Sequence, residues 1–227
     1  MKLIFFFLIL LGLISCKKTV NDFKQQDYIE EFKYSGIKEG RFIEYVVIHI
    51  THDDEVDIHD TLKFKMKTII GDTLIDNQGR ISNKYLRYTW DKIKGLWQIK
   101  DVWTIILNGK NAEIVDENQR LIYLTFPILL NQSWNPLVNT TGTNENYKYQ
   151  QIHKPTKLVD FQFDSTITVL QNNYYTLVDY KKQTEIYAKN LGLISKYYKN
   201  LKIKNFDTLQ VKKGEEWYYT LTNFGQN

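Results

Sequence analysis

Residues 49–60 hold three of the chain's four histidines among five acids: His49, His52, Asp53, Asp54, Glu55, Asp57, His59 and Asp60. Imidazoles and carboxylates that converge on one point hold divalent metals. Asp53, Glu55 and Asp57 alternate as the acids of a calcium loop do. However, Ile58 stands where an EF-hand needs glycine, and Phe64 where it needs a bidentate glutamate. His49 and His59 are the candidates for a transition-metal pair. The same turn, with His153 as a distant general base, would be the place for hydrolysis. The plainest alternative is a solvated hairpin turn with no metal and no cofactor.

The flanking strands decide which of these side chains can meet. Phe42, Glu44, Val46, Ile48 and Ile50 share one face of a strand; Ile43, Tyr45, Val47, His49 and Thr51 share the other. Leu62, Phe64 and Met66 then alternate with Lys63, Lys65 and Lys67, the clearest amphipathic strand in the chain. Superposing the apolar faces Val46–Ile48 and Leu62–Phe64 pairs even residues with even ones, Ile48 with Leu62 and Val46 with Phe64. In that register His49 and His59 lie on the lysine-bearing face and His52 on the other, so the three do not converge.

Other chemistry is sparse. The chain has no Gly-x-Ser-x-Gly elbow, no phosphate loop and no Gly-x-Gly-x-x-Gly. Basic residues are dispersed among acids, a solvated surface and not a nucleic-acid footprint. Aromatics make up 15% of the chain, and most are expected in the core. Trp134, Tyr147 and Tyr149, in or beside the longest loop, are the candidate ligand-binding aromatics.

About a dozen short strands at regular spacing, with hardly a helical pattern, predict an all-β fold: a single curved antiparallel sheet, half-barrel or open barrel. Asp76–Gly79, Lys94-Gly95, Asn108-Gly109 and Asn172-Asn173 are read as turns. The Asn-, Thr- and Gly-rich stretch 131–146 is a candidate seam or functional rim. The domain is expected to span 36–227, preceded by a polar tether over 16–35.

Lys2 and the apolar run Leu3–Ile14 open the chain as a secretory signal does. Twelve helical residues rise about 18 Å, too short for the roughly 30 Å hydrocarbon core. The run ends in Leu13-Ile14-Ser15-Cys16, which resembles the lipobox of bacterial lipoproteins. That resemblance implies cleavage before Cys16, a diacylglycerol thioether on its thiol, and a membrane anchor. Cys16 is the sole cysteine, so lipidation would leave no thiol for a disulfide, metal site or nucleophile.

Three further resemblances point to the Bacteroidota envelope. Residues 37–45 (IKEGRFIEY) and 186–194 (IYAKNLGLI), with Asp101-Val102-Trp103 and Phe126-Pro127, resemble a family of uncharacterised Bacteroidota lipoproteins. This implies an all-β, half-barrel-like fold and no known activity. Asp60-Thr61-Leu62, Asp72-Thr73-Leu74, Asp164-Ser165-Thr166 and Asp207-Thr208-Leu209 resemble an O-glycosylation motif, which makes Thr61, Thr73, Ser165 and Thr208 candidate acceptors; turn-to-strand junctions generate the same string. Acids shortly after the cysteine resemble a surface-export signal. Here Lys17-Lys18-Thr19-Val20-Asn21 come first, which favours the periplasmic face of the outer membrane.

The expectation is a non-enzymatic, lipid-anchored envelope protein that binds a small apolar or glycan ligand. The alternatives are an assembly subunit docking to another envelope protein, and a hydrolase using the His49–Asp60 turn.

Overall fold

A computed structural model describes residues 29–116, 119–140 and 145–227. The expected signal sequence and Cys16 lie outside the described residues.

The period-two pattern resolves into twelve antiparallel strands in one sheet. They are β1 (Arg41–Asp53), β2 (Ile58–Ile75), β3 (Ile81–Asp91), β4 (Leu96–Leu107), β5 (Asn111–Asp116), β6 (Gln119–Thr125), β7 (Ser133–Trp134), β8 (Tyr147–Leu158), β9 (Phe161–Tyr175), β10 (Asp179–Ala188), β11 (Gly192–Lys204) and β12 (Asp207–Gln226). Their order is β6-β5-β4-β3-β2-β1-β12-β11-β10-β9-β8-β7. Every connection inside the sheet joins sequence neighbours, and β12 returns to pair with β1 at the centre. The sheet curls into a nearly closed barrel, as the strand pattern predicts.

An unclosed sheet leaves unpaired backbone groups at its edges. The loop after β6 answers this. The Ile122 amide donates to the Pro136 carbonyl at 2.9 Å, and the Trp134 indole N–H donates to the Ile122 carbonyl at 3.0 Å. The Tyr149 hydroxyl donates to the Thr125 carbonyl and accepts from the Thr125 amide. The long loop therefore ties edge strand β6 to β7 and β8.

Two apolar clusters fill the barrel. One gathers Tyr34, Ile105, Leu124, Tyr149, Ile167 and Val169 with their neighbours. The other centres on Tyr45, Val47, Met66, Ile194 and Leu221. Tyr34 is 1% exposed and Ser35 is buried, so the folded body includes residues assigned from sequence to the tether. The adjoining Gly36 packs its backbone on Gly192. A Cβ on Gly36 would lie 2.4 Å from the Leu191 carbonyl oxygen, and both glycines have positive φ.

Two sequence expectations change. The β1–β2 register pairs odd with even: His49 with Leu62, Ile48 with Lys63, Val47 with Phe64. The inward face of β1 is thus Ile43, Tyr45 and Val47, not Val46 and Ile48. Both faces of β1 are apolar, so the pattern could not choose. The four-residue loop 54–57 chooses, with Asp57 left-handed at φ 54° closing the turn. Asn172-Asn173, read as a turn, lie inside β9, where the pairing shifts opposite Gln183 and Thr184. The chain reverses instead at Thr176–Val178, whose Thr176 hydroxyl accepts from the Val178 and Asp179 amides. A hydroxyl that mimics a backbone turn there outcompetes the Asn pair.

Candidate functional site

Alternation sends one face of every strand inward, and the inward residues do not close the centre. Between the two apolar clusters lies a cavity of about 230 Å³, lined from β1–β6 and β9–β12. Its apolar wall comes from Ile43, Met66, Ile70, Ile105, Ile114 and Leu121, joined by Tyr45, Tyr85, Tyr123 and Tyr187. Tyr45 donates to the Leu193 carbonyl at 2.7 Å and Tyr123 to the Ser35 carbonyl at 3.1 Å. Burial pushes both phenols well above their usual pKa, so they stay neutral.

Charge enters this apolar space on five side chains, Arg41, Arg87, Asp116, Glu185 and Lys196. Lys196 and Glu185 pair at 3.0 Å, and Tyr187 donates a short hydrogen bond to the same carboxylate. Arg87, 8% exposed, pairs with Asp101 at 3.2 Å and stacks its guanidinium 3.9 Å over Trp103. Arg41 is different. Its Nη1 donates to the Gly36 carbonyl at 3.3 Å, and the Asp116 carboxylate lines the same cavity. Burial lowers its pKa, but a guanidinium remains charged. The cavity therefore offers an apolar wall into which Arg41 and Asp116 are set, beside Arg87 and the Lys196–Glu185 pair.

The aromatics singled out from sequence are elsewhere. Tyr147 and Tyr149 are buried in the first cluster, and Trp134 packs on them while its indole caps β6. None of the three lines the cavity. Those that do sit mid-strand with inward parity, so only the register could identify them.

The 49–60 turn is also rearranged. His49 faces inward and stacks on Trp217 with ring centroids 3.6 Å apart; its Nε2 lies 3.4 Å from Glu215 but makes no hydrogen bond. His52 and His59 are directly paired on the outer face, with Nδ1 atoms 3.3 Å apart. This corrects the expectation that His49 and His59 would share a face. Asp53 binds Lys213 at 2.7 Å and caps the Glu55 amide, and Glu55 and Asp57 are exposed. His153 is held in β8 by Tyr34, whose hydroxyl lies 2.8 Å from its Nδ1 and 2.6 Å from Ser165 Oγ. Its partners are in the N-terminal segment and β9, not in the turn. Ser165 is thereby engaged; Thr61, Thr73 and Thr208 are exposed, and the Thr73 hydroxyl donates to Glu39 and accepts from Asn83.

No protein-family model matches the chain, and no curated protein matches it. Two solved structures are similar. One is described as an exported protein with YmcC-like fold from Bacteroides fragilis NCTC 9343; it has 8% identity and a TM-score of 0.48, over 83% of this chain and 97% of that one. The other is described as a lipoprotein from Parabacteroides distasonis ATCC 8503; it has 10% identity and a TM-score of 0.41, over 85% of this chain and 98% of that one.

Proposed function

We propose that this chain is a lipid-anchored envelope protein whose barrel takes up a small amphipathic molecule: an apolar body with an anionic end. The observation that carries the reading is the cavity with Arg41 in its wall. Pockets for drug-sized ligands span roughly 300–1,000 Å³. A cavity of about 230 Å³ suits a smaller molecule or one segment of an acyl chain. Cys16, as the lipidated residue, would hold the barrel at the membrane that supplies the ligand, on the periplasmic face of the outer membrane.

The test is titration of the detergent-solubilised lipoprotein with a dansyl-labelled fatty acid. Saturable binding is expected. Arg41→Met should weaken it about tenfold, the worth of one hydrogen-bonded charge, and Ile114→Phe should block it by filling the cavity. Binding unaffected by both substitutions would sink the reading. For the anchor, Cys16→Ser is expected to move the protein from the detergent phase to the aqueous phase; acyl label persisting on the variant would refute it.

A second reading, docking to another envelope protein, draws on the outer surface. Ile69, Leu86 and Val102 are register neighbours across β2–β4, and Ile99 lies beside them; Val102 and Ile99 are more than half exposed. A contiguous outward apolar strip of this kind is a docking surface in form. Val102→Lys should abolish co-purification of such a partner and leave fatty-acid binding unchanged.

A further inference from the structure

We propose that His52 and His59 form a transition-metal site on the outer face of the barrel. The two imidazoles come from paired positions on β1 and β2, and their Nδ1 atoms are 3.3 Å apart. Each ring is backed by a carboxylate on its other nitrogen. His52 Nε2 lies 3.0 Å from Glu216, and His59 Nε2 lies 3.3 Å from Asp54. A carboxylate acceptor draws the ring proton to Nε2. With both protons on Nε2 the two Nδ1 lone pairs are free for a metal; with one proton on Nδ1 the rings hydrogen-bond to each other instead. With metal–nitrogen bonds of about 2.05 Å and a tetrahedral angle, two ligating nitrogens stand about 3.3 Å apart.

The supporting shell is built. Glu216 is 6% exposed although it lies on the outer face. Its second oxygen accepts from Lys199 at 2.8 Å and from the Tyr218 hydroxyl, which leaves the first oxygen aimed at His52. Metal-bound histidines are oriented this way, with the other ring nitrogen donating to a fixed carboxylate. His59 is half exposed, so the site is open to solvent. The remaining coordination positions would hold water or a group from outside the chain. Asp53 supplies no ligand, since Lys213 holds it.

The experiment is calorimetric titration of the full lipoprotein in detergent with ZnCl₂ and with CuCl₂ at neutral pH. One equivalent is expected, with Cu²⁺ tighter than Zn²⁺. His59→Ala should abolish binding and His52→Ala should do the same, with the fold checked by circular dichroism. Glu216→Gln should weaken it about 10- to 100-fold by removing the orienting carboxylate, and His153→Gln should leave it unchanged. Affinity should fall as pH drops, because protons compete for the Nδ1 lone pairs. Absence of heat with either metal would overturn the proposal, as would undiminished binding in folded His59→Ala. So would a single proton shared between the two rings that persists, by imidazole NMR, in excess Zn²⁺.

Discussion

The barrel carries the same small device twice, once on each face. Inside, Glu185 accepts from Lys196 on the neighbouring strand and from Tyr187 two residues on. Outside, Glu216 accepts from Lys199 on the neighbouring strand and from Tyr218 two residues on. Each lysine also sits about 6 Å from a tyrosine ring, Lys196 at 5.9 Å from Tyr219 and Lys199 at 6.0 Å from Tyr218. The surroundings differ. The inner set closes on itself beside an apolar cavity. The outer set adds His52, which extends it to His59 and the solvent. One motif thus lets charge stand in a desolvated wall, and the other holds a surface imidazole in place.

The electrostatics follow the same division. For Lys196, burial is the largest influence and would lower the pKa, but the Glu185 charge and hydrogen bond, with Tyr219 and Tyr198, together outweigh it and the net direction is up. For Glu216, burial alone would raise the carboxyl, but hydrogen bonds from Lys199, Tyr218 and His52 outweigh it and hold it below its usual value. Tyr218 is pushed up to about 12 by burial and by the carboxylate it serves.

The largest effect should come from breaking the inner set. Lys196→Met leaves Glu185 buried and uncompensated, at a cost of about 3 kcal/mol, the low end for a broken buried pair because Lys196 keeps some solvent contact. Urea unfolding measures it. The double variant Glu185→Leu, Lys196→Met should recover most of the loss, because no lone charge remains. Lys199→Met should cost less, about 1 kcal/mol, since Glu216 keeps two other donors, Tyr218 and His52. Equal losses for the two lysines would erase the distinction between the faces.

A pH series should separate the sets next. Glu216 has a lowered folded-state pKa, so its contribution is complete above the unfolded value of about 4.3 and is lost as pH falls through the folded value. Glu216→Gln should therefore cost stability at neutral pH and converge on the wild type in acid. Lys196 has a raised pKa, so its contribution is complete below the unfolded value of about 10.4 and is lost as pH rises through the folded one. Lys196→Met should converge on the wild type only in strong alkali. The smallest effect is at the hairpin that sets the outer pair. Asp57→Gly relieves a left-handed residue and should stabilise by about 0.5 kcal/mol, read as a higher melting temperature.

The register shows where sequence reasoning stopped. The alternation in Leu62–Lys67 identified β2 and the parity of its inward face, although Leu62 itself, near the hairpin, is 58% exposed. In β1 both faces are apolar, and a one-residue slip exchanges them entirely. That slip moved His49 inward against Trp217 and brought His52 opposite His59. The turn 49–60 was legible as the densest chemical cluster, but not which imidazoles in it would meet. Nor was the cavity legible. Arg41 and Glu185 look like ordinary surface charges until ten strands close around them, while Trp134 looks free until its indole caps an edge strand.

What the chain determined by itself is local: strand period, Gly-bearing turns such as Asn108-Gly109, the absence of common catalytic motifs, and the Leu-Ile-Ser-Cys signature at Cys16. Each depends on a few adjacent residues, so a short window suffices. The tertiary structure decided the pairing of odd with even residues, the setting of Arg41 and Asp116 in an apolar wall, and the two Nδ1 atoms held 3.3 Å apart. These depend on contacts between strands distant in sequence, Glu216 with His52 above all. Only closure of the sheet, through turn geometry and packing, brings such residues together.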